Sequence, residues 1–230
     1  MRIFATMESQ SPSTFRLRSF RLRGDRMTRA QAEALANHWN RYEIPLQGKI
    51  DPRDIFYSFK PKRVIFEIGS GMGEATAKIA AANPEIGYVA IEVHRPGIGA
   101  LIIRAEELSI RNLRIINADI LDVLNHVDDN LIDGFHIFFP DPWHKRKQNK
   151  RRLLQPPFIS LLSRKLKHGG EISIATDWLP YAQEIGRNFA ANPDFEGGVV
   201  RRPDRRPVTK FEGKGISKEH IVSDFHYRKR

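Results

Sequence analysis

The chain has 230 residues, no Cys, and 38 Lys plus Arg against 27 Asp plus Glu, a formal charge of +11. That length suits one substantial domain rather than a two-domain enzyme; the missing Cys excludes disulfides and thiolate metal sites, and the cation excess is the footprint of a nucleic-acid partner. No apolar run approaches the roughly 18 residues that span a bilayer, so a soluble, cytoplasmic protein that makes no membrane contact is expected.

The first thirty residues carry Arg16, Arg18, Arg21, Arg23, Arg26 and Arg29 among Ser, Phe and Leu. Such an acid-poor composition resembles a transit peptide, but the segment runs without a cleavage-like break into TRAQAEALANHW, a helical pattern with Thr28 as N-cap. A basic arm that folds onto RNA is the preferred reading. The expected organisation is a basic arm and helix over 1–40, partly flexible, and one catalytic domain over 41–230.

From Arg63 onward strands and helices alternate. VIFEI, GYVAIEV, LRIINAD, IDGFHIFF and EISIATD read as buried strands; EATAKIAAA, PGIGALIIRAEEL, LQPPFISLLSRKLK and YAQEIGRNFAAN read as helices, the third closed by Gly169-Gly170 and the fourth ended by Pro193. This rhythm predicts a parallel, doubly wound α/β sheet. The tail IVSDFHYRKR fits an antiparallel hairpin at the sheet edge, with its register open.

Ligands of such sheets lie beyond the carboxyl ends of the strands, so the residues there carry the weight. The first end is Glu67-Ile68-Gly69-Ser70-Gly71-Met72-Gly73, followed by Glu74 where a dinucleotide fingerprint would want Gly. Carboxylates on both sides of a helix N-terminus disfavour pyrophosphate and suit a cation; S-adenosylmethionine, with a sulfonium and an ammonium and no phosphate, fits. The second end supplies Glu92, 92 − 67 = 25 positions on, near the offset at which an acid receives ribose hydroxyls. The third supplies Asn117 and Asp119, for the adenine edge.

The fourth end is Phe138-Phe139-Pro140-Asp141-Pro142-Trp143, followed by HKRKQNKRR, which puts six cations in the nine positions 144–152. Two prolines stiffen the turn around Asp141 and end the strand ladder, and Trp143 offers a face for a base. A fifth end carries Thr176-Asp177-Trp178.

Together these ends resemble class I S-adenosylmethionine-dependent methyltransferases, and FPDPWHKRKQNKRR, TDW and Thr209-Lys210-Phe211-Glu212 resemble the bacterial tRNA (guanine-N(7)-)-methyltransferase family over nearly the whole chain. The family commonly has His where this chain has Gln148. The resemblance implies a Rossmann-like, seven-stranded sheet, mostly parallel with an antiparallel C-terminal hairpin. It implies methyl transfer from S-adenosylmethionine to N7 of a guanine in tRNA, the variable-loop guanine at tRNA position 46. Glu67, Gly69, Gly71, Gly73, Glu92, Asn117, Asp119 and Asp141 would line the cofactor site, with Asp141 also catalytic. Lys145, Asp177, Thr209, Lys210, Phe211 and Glu212 would hold the substrate nucleotide. Lys147, Gln148, Asn149, Lys150, Arg151 and Arg152 would grip RNA.

Trp143 and Phe211 are candidates for base stacking, and RRPDRRPVTKFEGKG for a flap over the substrate. The eight His show no metal-ligand spacing, so no metal is expected, and the chain is expected to act on tRNA as a monomer or weak homodimer. Two rivals are a methyltransferase for exocyclic amines, which would be expected to carry an Asn/Asp-Pro-Pro-aromatic turn, and a nonenzymatic RNA-binding module, which would need none of the acids.

Overall fold

The computed structural model of the protein describes residues 19–20, 24, 26–56, 60–204, 206–208, 212 and 221–230. The expectations for Arg16, Arg18, Arg21 and Arg23, and those for Thr209, Lys210 and Phe211, lie outside the described residues. Among the described residues no helix is long and apolar enough to cross a membrane.

Helix α1 (Arg29–Tyr42) starts where Thr28 predicts. The Gln31 amide donates to Thr28 Oγ1 and the Thr28 amide to Gln31 Oε1, a reciprocal cap that satisfies two otherwise orphaned donors. Then follow β1 (Arg63–Ile68), α2 (Glu74–Ala82), β2 (Ile86–Ile91), α3 (Arg95–Glu107), β3 (Leu113–Ile116), α4 (Ile120–Asn125) and β4 (Ile132–Phe138). The chain ends with α5 (Pro156–Lys165), β5 (Leu166–Thr176), α6 (Leu179–Ala190), β6 (Phe195–Val200) and β7 (Ser223–Lys229). Helices α3, α5 and α6 each carry Pro in the first turn, where its missing N–H costs nothing.

The seven strands run in the order β3-β2-β1-β4-β5-β7-β6, and β7 is antiparallel to both of its neighbours. The first five are mutually parallel and buried on both faces, which is why β1 and β2 read as uninterrupted apolar runs. On one face Phe66, Val89, Phe135 and Ile137 pack with α4, α5 and α6; on the other Ile65, Tyr88 and Ile115 pack with α1, α2 and α3. Chain order reverses between β1 and β4, so the crevice of a doubly wound sheet opens there.

One reading needs correction. Leu166 and Lys167 belong to β5 and not to the preceding helix, and Gly169-Gly170 do not close a helix. Leu166 pairs with Ile132 and Glu171 with Gly134, so residues 167–170 bulge out opposite Asp133, with Gly169 at φ +74°. Phe195–Val200 forms the edge strand β6, antiparallel to β7 as the expected C-terminal hairpin requires; only its Phe195 is buried, so FEGGVV lacks the apolar signal of a strand. The basic run folds into a 3-10 turn over Arg146–Arg151.

Candidate active site

The carboxyl ends of β1, β2 and β3 are knit together. The Gly69 amide donates to Ile91 O at 2.8 Å and the Glu92 amide to Ile116 O at 3.1 Å. After β1 the chain turns through Gly69, Gly71 and Gly73, all at positive φ. Gly73 also has no room for a side chain, since an added Cβ would sit 2.5 Å from Leu101 Cβ. At Gly69 and Gly71 an added Cβ would meet nothing within 4 Å, so this stretch of backbone is open to a ligand.

Glu92, 7% exposed, braces that loop. One carboxylate oxygen accepts from the Gly71 amide at 2.7 Å and the other from the Val93 and His94 amides at 2.8 and 2.9 Å. Asn117 Nδ2 donates to Glu92 O at 2.8 Å, and Asp119 caps α4 by accepting from the Leu121 amide at 3.0 Å. The four expected cofactor residues at these three strand ends, Glu67, Glu92, Asn117 and Asp119, therefore lie along one rim.

Glu67 is almost fully buried, and its Oε2 has no hydrogen-bond partner; the same holds for Ser70 Oγ and Thr76 Oγ1 close by in sequence. Burial pushes the Glu67 carboxyl up to about 7, and the neighbouring Glu92 charge adds to the shift. Buried polar atoms without partners are rare in native proteins and call for an explanation. Three at one glycine turn, beneath open backbone, fit a ligand with donors and positive charge. S-adenosylmethionine matches that donor set, and a diphosphate does not.

The Asp141 turn follows β4, the strand paired with β1 through Glu67 opposite His136. Phe139 (φ 52°) and Trp143 (φ 47°) flank Pro140-Asp141-Pro142 in the left-handed region, which costs a bulky residue about 1–3 kcal/mol each. The Phe139 amide donates to Ala175 O at 2.8 Å, and His144 meets Trp178 edge to face at 4.4 Å. These contacts bring Asp141 and Asp177, both half-buried, to the same rim.

Trp143 is not an open stacking platform. It is 3% exposed, its indole N–H donates to Ser19 O at 2.9 Å, and the Arg151 guanidinium covers its ring at 5.0 Å. The bond to Ser19, with Gly24 O 3.3 Å from His94 Nε2, ties the described part of the basic arm to the crevice. Nothing in the sequence signals these bonds, which join positions 124 and 70 apart.

Two expected contacts are turned inward. Arg152 is 5% exposed, paired with Glu184 and bonded to Pro142 O at 2.8 Å, so it does not present its charge to RNA. Glu212 is 2% exposed, and both its oxygens accept from Arg206, at 2.8 and 3.0 Å. Arg206 also binds both oxygens of Asp224, at 2.6 and 2.9 Å, and lies over the Phe139 ring at 5.6 Å. Two buried acids require such a cation, and in this conformation Glu212 is tied to Arg206 instead of offering an open carboxylate. By contrast Lys145, Arg146, Lys147 and Lys150 are exposed, while Gln148, Asn149 and Arg151 are half-buried. No group of three or more His, Asp and Glu among the described residues is placed to hold a metal ion.

A family model described as "Putative methyltransferase" matches residues 61–225. The chain is 45% identical over 219 residues to a tRNA (guanine-N(7)-)-methyltransferase of Nitrosospira multiformis, covering 93% of this chain and 95% of that one. It is 41% identical over 221 residues to the enzyme of that name from Streptomyces avermitilis, covering 93% and 76%. Among solved structures the 16S rRNA methyltransferase KamB superposes with a TM-score of 0.55 at 15% identity, over 93% of this chain and 98% of that one. The seven-stranded Rossmann-like methyltransferase sheet is thus shared, and on the strength of its close relatives the chain belongs to the tRNA (guanine-N(7)-)-methyltransferase family.

Proposed function

We propose that this chain methylates N7 of the variable-loop guanine at position 46 of tRNA, in the cytoplasm, with Asp141 at the reacting centre. The observation that carries the reading is the pairing of β1 with β4, which sets the acid-lined glycine turn and its three orphaned polar atoms beside the strained Asp141 turn. The exposed cations of the 3-10 turn follow directly and suit the phosphates of a folded RNA.

When bound, S-adenosylmethionine supplies a methyl group made electrophilic by its sulfonium. Glu67 and Glu92 would hold the cationic and ribose portions and Asn117 and Asp119 the adenine edge, with the backbone of Gly69, Gly71 and Gly73 against the cofactor. Guanine N7 has an in-plane lone pair and no hydrogen, so the protein has no proton to remove before that nitrogen reacts. Asp141 and Asp177 act by position: they accept from the Watson–Crick edge of the base and stabilise the positive charge that develops on the purine. Lys145 and the Thr209–Phe211 segment hold the target nucleotide, and Lys147 and Lys150 hold neighbouring phosphates. The described part of the basic arm, tied to the crevice through Ser19 and Gly24, extends that RNA face.

The test is incubation of the purified protein with unmodified tRNA and methyl-labelled cofactor, followed by mapping of the labelled nucleotide. Label at N7 of guanine 46 is expected. Label on an exocyclic amine, or no label, would overturn the reading.

A further inference from the structure

Arg152 closes the basic run, yet it is buried while Lys145, Arg146, Lys147 and Lys150 are exposed. Its side chain reaches back to the Asp141 turn. Nε donates to the Pro142 carbonyl at 2.8 Å, Nη1 pairs with Glu184 of α6, and the guanidinium lies over the Tyr181 ring at 5.0 Å. Gln155 Nε2 donates to the second Glu184 oxygen, and the Tyr181 hydroxyl accepts from the Leu154 amide at 3.1 Å, so the receiving surface on α6 is itself held in place.

The turn needs an external anchor. Pro140 and Pro142 have no N–H to donate, and Phe139 and Trp143 hold it in left-handed backbone that would relax if released. A planar guanidinium can serve the Pro142 carbonyl, a carboxylate and a ring face at once; a lysine ammonium has neither the fork nor the flat face.

We propose that Arg152 is a positioning residue for Asp141 and not a phosphate contact: it fastens the Phe139–Trp143 turn to α6 through the Pro142 carbonyl. This rests on the reading that Asp141 acts at the reacting centre.

The test compares Arg152→Gln, Arg152→Lys and Glu184→Gln, with Lys150→Gln as a phosphate-contact control and Asp141→Ala as a check on the reading beneath. Each is assayed for kcat, tRNA KM, and the slope of log Kd for tRNA against log salt concentration. Both Arg152 variants and Glu184→Gln should lower kcat about tenfold to a hundredfold, the order expected when a reacting group shifts by about an ångström, with tRNA KM and salt slope unchanged. Lys150→Gln should flatten the slope by a little under one. A flattened slope in the Arg152 variants would make Arg152 a phosphate contact and overturn the proposal. Full kcat in Arg152→Gln would do the same; should that variant fail to fold, full kcat in Glu184→Gln decides against it. Asp141→Ala separates the levels: if it is inactive while the Arg152 variants turn over normally, only this proposal falls, and if it retains turnover, the reading beneath falls and takes the proposal with it.

Discussion

Glu92, at the end of β2, accepts a hydrogen bond from the amide of Gly71 in the turn after β1, at 2.7 Å. An acid on one strand therefore shapes the ligand loop of the next. Replacing Glu92 with Ala removes three charge-assisted bonds to backbone and leaves the loop without its brace. We expect the dissociation constant for S-adenosylmethionine to rise roughly 10- to 100-fold, the size of one such bond, while the tRNA dissociation constant changes little. Calorimetric titration of each ligand checks the order; a larger effect on tRNA would remove Glu92 from the cofactor rim.

The buried Glu67 makes stability depend on pH with a definite sign. In the unfolded chain its carboxyl ionises near 4.5, and in the fold near 7. Below pH 4.5 both states are protonated and the group contributes nothing to the balance. Between 4.5 and 7 the unfolded state alone sheds the proton, so folding weakens as pH rises, by about 3 kcal/mol in total. Glu67→Gln should abolish this loss, and urea titrations of both proteins from pH 4.5 to 8 will read it. Parallel pH curves would place Glu67 in a wetter setting than the fold gives it.

How much of this was legible in the residues follows from which signals are local. The five parallel strands were readable because a strand buried on both faces must be apolar throughout, and the glycine turn because three alternate glycines end such a run. β6 was not: FEGGVV gains its place only by pairing with β7, through Gly197 opposite Tyr227, 227 − 197 = 30 positions on. Nor does anything in HKRKQNKRR distinguish Arg152 from the cations beside it. Its inward turn depends on Glu184, 32 positions later, which no spacing rule connects to it. The Gly169-Gly170 pair read as a helix stop because that is its commonest use; here the positive φ of Gly169 serves a bulge.

Arg206 should be the costliest single charge to remove. It lies between Glu212 and Asp224, all three nearly inaccessible to water, so Arg206→Met would strand two buried carboxylates. A loss of about 3–5 kcal/mol is expected, lowering Tm by roughly 10 °C at neutral pH, with partial recovery in mild acid as the stranded acids take up protons. Differential scanning calorimetry at two pH values would show it; an unaltered Tm would mean that Arg206 does not hold Glu212 and Asp224 as described.

Lys147 and Lys150 are two of the three exposed cations of the 3-10 turn, Arg146 being the third, on which the RNA reading depends. Changing both to Ala should weaken tRNA binding and flatten the salt dependence of its affinity by somewhat under two. An unaltered slope would move the RNA face elsewhere, with the arm before α1 the next place to look.

The left-handed backbone at Trp143 has an evolutionary corollary. Glycine there would relieve about 1–3 kcal/mol of strain, but it would forfeit an enclosed indole worth about 3–5 kcal/mol. No single-step replacement by glycine runs downhill, so drift is blocked at this position by the ring's own enclosure, and a lineage could relax the turn only by first rebuilding what surrounds it.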